Sequence, residues 1–96
     1  MKYDIDKRVH NLHELDRVIN GYSNDKTANT KVRLYGFEDW YCEIGIIMDK
    51  GYVVNKKIAV EDLVRSIENH QAYVVNPSAL NKYFKQKWYM HYCHLD

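Results

Sequence analysis

The apolar residues of the N-terminal segment recur at the spacing of an α-helix. They are Ile5, Val9, Leu12, Ile19 and Tyr22, with Leu15 and Val18 beside them. Asp4 is a suitable N-cap and Gly21 a suitable stop, so the pattern predicts an amphipathic helix over residues 5–20. The polar segment 23–30 that follows has no periodicity and predicts a loop.

The middle of the chain changes to the two-residue period of β-strands. Residues 31–35 alternate between polar and apolar side chains, which predicts a half-buried strand. Residues 40–48 are apolar on both faces and predict a central strand, and a returning strand is expected from residue 52 to about residue 58. Asp49-Lys50-Gly51 between them predicts a hairpin connection with Gly51 at a positive φ. These segments together predict a three-stranded antiparallel meander.

The C-terminal half returns to helical spacing. An apolar stripe predicts a second helix over residues 60–70, and it consists of Val60, Leu63, Val64 and Ile67. Residues 73–75 are β-prone and predict a fourth strand at one edge of the sheet. Asn76 and Pro77 suit the N-cap and first turn of a last helix, predicted from residue 77 to about residue 92. The order is α-βββ-α-(β)-α, which predicts one α+β domain over residues 1–96, with helices packed on one face of a small sheet.

Length, composition and charge limit the class of protein. The chain has 96 residues with only 4 glycines and 1 proline, which excludes collagen, low-complexity linkers and broad disorder. Its formal net charge of +1 excludes a strongly acidic DNA mimic and a strongly basic nucleic-acid coat, although it permits a local basic patch. No apolar signal segment opens the sequence and no apolar run approaches the ~20 residues of a membrane helix. We therefore expect a cytoplasmic protein without a membrane partner.

The residues capable of catalysis or metal binding do not form a known motif. The motifs typical of nucleophilic hydrolases, zinc proteases and phosphate-binding loops are absent from the sequence. His91, Cys93 and His94 are of types that bind zinc, but they lack the paired spacing of zinc sites. Cys42 and Cys93 are expected to be reduced thiols, with a single disulfide between them as the alternative. We expect no enzymatic activity, no cofactor and no metal.

A stripe of lysines and tyrosines on the predicted last helix is the first candidate site. Lys82, Lys85, Tyr89 and Tyr92 follow one another at helical spacing. Lysines that continue into tyrosines suit a nucleic acid, with phosphates to bind and bases to stack, and equally suit a protein interface. An ordinary solvent-exposed lysine face is the structural alternative.

The aromatic residues of the predicted sheet are the second candidate site. The sequence contains 9 tyrosines, and Tyr35, Trp40 and Tyr41 fall around the meander. Adjacent strand residues point to opposite faces, so Trp40 or Tyr41 is expected to face away from the helices. A tyrosine-rich exposed face makes a good binding surface because each ring offers a large contact area at a small entropy cost. Tyrosines with buried rings and solvated hydroxyls are the alternative.

These observations favour a non-enzymatic interaction module that binds and inhibits or modulates a larger protein or protein–nucleic-acid complex. In size and composition the chain is similar to the small accessory proteins of phages and mobile elements, including anti-CRISPR inhibitors. A small nucleic-acid-binding regulator that uses the C-terminal helix is the alternative function. A homodimer is an alternative partner, since the β-prone edge at residues 73–75 and the aromatic helix both favour self-association.

Overall fold

The computed structural model describes residues 2–21, 27–38 and 40–84. The protein is a small α+β fold, with a four-stranded mixed sheet and two helices of more than one turn. Its elements in chain order are α1 (Lys2–Gly21), β1 (Thr30–Phe37), β2 (Tyr41–Ile47), β3 (Val53–Ala59), α2 (Val60–Glu68), β4 (Ala72–Val74), a 3₁₀ turn (Pro77–Leu80) and α3 (Asn81–Phe84). None of the helices within these residues has the length and apolar character needed to cross a membrane.

The strand order in the sheet is β3-β2-β1-β4. β1, β2 and β3 are antiparallel neighbours, as the hydrophobic alternation predicts. The hairpin between β2 and β3 also forms as expected, with Gly51 at a φ of +90° and its amide donating to the Met48 carbonyl at 2.8 Å. The sheet is nevertheless not a plain meander, because β4 pairs with β1 in the parallel direction.

Asn76 extends the pairing of β1 beyond the end of β4. The Leu34 amide donates to its Oδ1 at 2.8 Å, and its Nδ2 donates to the Leu34 carbonyl at 2.8 Å. The prediction that Asn76 caps the next helix is therefore wrong, since its side chain makes no capping hydrogen bond. The amide group instead satisfies two backbone groups at the edge of β1 that otherwise lack a strand partner.

The last helix also differs from its prediction. Residues 77–80 form a 3₁₀ turn, and only residues 81–84 are α-helical within the described chain. Proline at the first position permits this tight turn, in which the Ala79 amide donates to the Asn76 carbonyl at 3.0 Å. Residues 85–92 of the predicted helix lie outside the described residues.

α1 and α2 cover one face of the sheet and form the core with it. Their apolar stripes are those that the sequence predicts, and the fully buried side chains include Leu12, Leu15, Val18, Val60 and Leu63. They pack on the inward residues of the strands, which include Val32, Leu34, Cys42 and Ile44. The opposite face of the sheet is left without a helix in the described part of the chain.

α2 ends two residues earlier than predicted, in a motif that returns the chain to the sheet. His70 has a φ of 60°, its amide donates to the Ile67 carbonyl at 3.0 Å, and the Gln71 amide donates to the Ser66 carbonyl at 2.8 Å. This pair of bonds is the Schellman pattern, in which a left-handed residue reverses the chain and satisfies the last carbonyls of the helix. The reversal directs the chain into β4, alongside β1.

Candidate binding face of the sheet

The sheet face opposite the helices carries the candidate site, which we call the open face. Side chains alternate between the two faces of a strand, so the buried positions fix which residues point away from the core. On β1 these are Lys31, Arg33 and Tyr35; on β2, Tyr41, Glu43, Gly45 and Ile47; on β3, Val53, Asn55 and Lys57. The structure therefore brings Tyr35 and Tyr41 to one surface, as the sequence analysis expects.

Tyr35 is positioned on the open face by an irregularity in β1. The register with β2 shifts between Leu34 and Gly36, which leaves Tyr35 as the extra residue of a β-bulge. A bulge twists the strand locally and turns its side chain toward a different neighbour. The Tyr35 ring accordingly lies over Gly45 of the adjacent strand, and 45% of the residue stays exposed.

Gly45 makes room for this ring. A Cβ at position 45 would lie 2.7 Å from Cε2 and 2.9 Å from the hydroxyl oxygen of Tyr35, and 2.5 Å from Cγ1 of Val53. Gly45 is buried although it lies on the open face, because these two side chains cover it. Only glycine permits so close an approach, so the pair fixes where the Tyr35 ring rests.

Tyr41 and Lys57 form a second fixed pair on the same face. The Nζ atom of Lys57 lies 4.2 Å from the centroid of the Tyr41 ring, which is within the range of a cation–π contact. Glu43 stands directly across from Lys57 in the register, yet the described residues contain no ion pair between them. Lys57 is thus held over an aromatic ring and its charge is not neutralised by a carboxylate.

The open face has a net positive charge and an open depression. Its three cations are Lys31, Arg33 and Lys57, and its one carboxylate is Glu43. The depression has a volume of about 350 Å³ and is lined on this face by Tyr35, Glu43, Asn55 and Lys57. A second groove, of about 380 Å³ between α1 and α2, has lining charges of both signs: Lys7, His10, Glu14, Glu61, Arg65 and Glu68.

Ion pairs occupy the helix side of the molecule. Arg17 on α1 binds Glu14 at 3.2 Å and Glu68 on α2 at 3.0 Å. Its hydrogen bond to Glu14 lowers the pKa of that carboxyl. These side chains bind one another, so they have a structural explanation and do not mark a ligand site.

Trp40 does not join the tyrosines that the sequence analysis groups with it. Lys7 of α1 places its Nζ 5.1 Å from the Trp40 ring centroid, and the Trp40 carbonyl accepts a bond from the Val60 amide at 2.7 Å. Trp40 precedes the inward-facing Cys42 by two positions, so it lies at the helix side of the sheet end. It remains half exposed, at 50%.

The stripe on the predicted last helix is described only at its first residue. Lys82 is exposed on α3, whereas Lys85, Tyr89 and Tyr92 lie outside the described residues. An interface on that helix stays a prediction.

The residues considered for chemistry show no activated group in the described part of the chain. Cys42 is fully buried, and burial raises the pKa of its thiol to about 12, which is the opposite of what a nucleophile requires. No group of three potential metal ligands occurs among the described residues. Cys93, His91 and His94 lie outside them.

The residues that sequence reasoning missed are Arg33, Gly45 and Lys57. Arg33 alternates with the buried Val32 and Leu34, so its face was open to inference from the pattern. A glycine inside the apolar run of β2 is a recognised sign of close approach by another group. Comparison with protein-family models, with curated proteins and with solved structures finds no match for the chain.

Proposed function

We propose that this protein is a non-enzymatic interaction module that binds a larger macromolecule through the open face of its sheet. The observation that carries the proposal is the exposed Tyr35 ring held over Gly45. A ring whose position is already fixed loses little conformational freedom on binding, so its contact area contributes to affinity with a small entropic offset. The cation–π contact of Lys57 with Tyr41 fixes a charged group beside it in the same way.

The shape of the face favours a large partner. Small-molecule sites enclose most of their ligand's surface, whereas the depression at Tyr35 is open and spread across neighbouring strands. A macromolecule contacts such a surface over many residues, with aromatic anchors inside and charged groups at the rim. The small size and the composition, similar to those of phage and mobile-element accessory proteins, support the further proposal that occupying the partner's surface inhibits or modulates it.

A matched pair of β3 variants tests the proposed surface. Lys57 lies on the open face, and the adjacent Lys56 pairs with the inward-facing Ile44 and lines a groove beside α2. Lys57→Gln and Lys56→Gln therefore remove the same charge from opposite faces of one strand. Immobilised wild-type protein, both variants and Tyr35→Leu are incubated with lysate of the source cells, and bound proteins and nucleic acids are compared.

The proposal predicts a macromolecule that wild type and Lys56→Gln retain equally, and that Lys57→Gln and Tyr35→Leu release. Equal retention by all four proteins contradicts the open face as the contact surface. Loss with Lys56→Gln alone places the contact on the other side of the sheet and rejects the proposal.

A further inference from the structure

We infer that the open face binds a single-stranded nucleic acid, with a base stacked on Tyr35 and phosphates bound by Lys31, Arg33 and Lys57. The inference rests on the proposed function, because it assigns a partner class to the same surface. It uses a different surface from the C-terminal helix, whose lysines and tyrosines lie largely outside the described residues.

The distribution of charge argues for an anionic partner. Lys31 and Arg33 are exposed, lie two positions apart on β1, and make no ion pair within the described residues. Residues two apart on a strand are separated by roughly 6.7 Å along one face. Such a spacing suits successive phosphates of an extended strand. The exposed surface of α2 has the opposite sign, with Glu61, Asp62 and Glu68 against Arg65, so the positive charge is specific to the open face.

The position of Tyr35 argues for bases without a paired strand. The ring rests on Gly45 on its sheet side and is exposed on the other, which is the arrangement of a stacking platform. The base faces of a duplex are hidden inside its stack, and its major groove admits a helix or a two-stranded ribbon, not the face of a wider sheet. An acidic peptide satisfies the cations but has no need of the ring, so it becomes an alternative outcome of the test.

Lys57 completes the surface on the far side of Gly45. Its contact with the Tyr41 ring holds its ammonium group on the open face, two strands away from β1. Glu43 between them is the one group that repels a phosphate. Its neutralisation therefore has a predicted sign: Glu43→Gln tightens binding of an anionic strand.

The test measures fluorescence anisotropy of a labelled mixed-sequence single strand of ~12 nucleotides, as DNA and as RNA, against the full chain at several salt concentrations. Three phosphate contacts predict a slope of log affinity against log salt of about −2, or about 20-fold weaker binding at ~200 mM than at ~50 mM salt. Lys57→Gln reduces the steepness by about 0.7, and Lys56→Gln leaves it near the wild-type value. Tyr35→Leu weakens binding about tenfold without changing the slope, and Tyr35→Phe retains affinity.

Four results overturn the inference: no binding of either strand at the lowest salt, equal effects of Lys56→Gln and Lys57→Gln, tighter binding of a duplex of the same sequence, or displacement by poly-glutamate as effective as by oligonucleotide. Arg33→Gln, a surface change on an exposed residue, provides a second test if Tyr35→Leu proves unstable, and it is expected to reduce the slope by about 0.7. If oligonucleotides do not bind but the lysate experiment still gives a partner lost with Lys57→Gln, the inference fails and the proposed function stands. If that partner is also unaffected, both fail.

Discussion

Replacing Gly45 with alanine tests the arrangement on which the open face depends. The added Cβ would lie 2.5 Å from Val53 Cγ1 and 2.7 Å from Tyr35 Cε2, whereas carbon atoms in normal contact are about 3.5–4.0 Å apart. Both neighbours therefore have to move by about 1 Å. The Tyr35 ring can swing outward, but the short Val53 side chain has only a change of rotamer or a shift of the β3 backbone.

The expected loss of stability follows from two opposed effects. Overpacking of this kind costs about 1–3 kcal/mol, and the lower backbone entropy of alanine in the unfolded chain returns about 0.5–1 kcal/mol. The net free energy of unfolding is expected to fall by about 1–2 kcal/mol. For a domain of this size the midpoint of thermal unfolding then falls by roughly 5–15 °C.

Gly21 supplies the matched control for this substitution. It ends α1, and no atom lies within 4 Å of where its Cβ would be. Gly21→Ala is expected to leave stability unchanged or raise it by up to about 1 kcal/mol, because only the entropic effect operates. Guanidinium denaturation followed by circular dichroism measures both variants against wild type.

A double-mutant cycle with Tyr35→Ala separates the ring from Val53. Removing the ring first takes away one of the two clashes, so the penalty of Gly45→Ala is expected to shrink by about 1 kcal/mol in that background. Gly45→Ala as stabilising as Gly21→Ala, or fully additive effects in the cycle, would refute the placement of Tyr35 over Gly45.

Three further predictions concern the rest of the fold. Asn76→Ala leaves the amide and carbonyl of Leu34 without protein partners, so the free energy of unfolding is expected to fall by about 1–3 kcal/mol; an unchanged denaturation midpoint contradicts the two hydrogen bonds. Burial raises the pKa of the Cys42 thiol from 9.0 to about 12. The unfolded thiol therefore loses its proton first, and stability is expected to decline as pH rises from about 9 to about 12; Cys42→Ala should show a smaller decline. In a Cys93→Ser background, Cys42 should react with a thiol reagent only as fast as the protein unfolds. His70→Gly relieves a left-handed residue and should raise the free energy of unfolding by about 1 kcal/mol, whereas a lower melting temperature argues that the His70 side chain contributes more than its backbone strain removes.

Local patterns were sufficient to predict most elements of the fold. The stripes of α1 and α2 and the alternation of β1 identify the core because one face of each element has to be buried. The parallel pairing of β4 with β1 was not predictable in this way. It depends on the reversal at His70 and on contacts between residues far apart in sequence.

The candidate site shows a similar division. Arg33 and Tyr35 share a face through simple alternation, but the β-bulge that directs Tyr35 over Gly45 is a property of two paired strands. β3 is exposed along most of its length, so its sequence has no hydrophobic alternation to distinguish Lys56 from Lys57. Asn76 precedes a proline, as helix caps often do, and the local sequence favours that role although the side chain pairs with β1.

Photo-cross-linking from two adjacent positions of β3 tests the central claim most directly. Asn55 lies on the open face and Lys56 on the opposite one, so a photoreactive phenylalanine analogue at each position samples the two surfaces separately, with the partner unspecified. The account predicts an adduct with a macromolecule from position 55 after irradiation in the source cells, and little or none from position 56. An adduct from position 56 alone, or equal adducts from both, would contradict the open face as the binding surface.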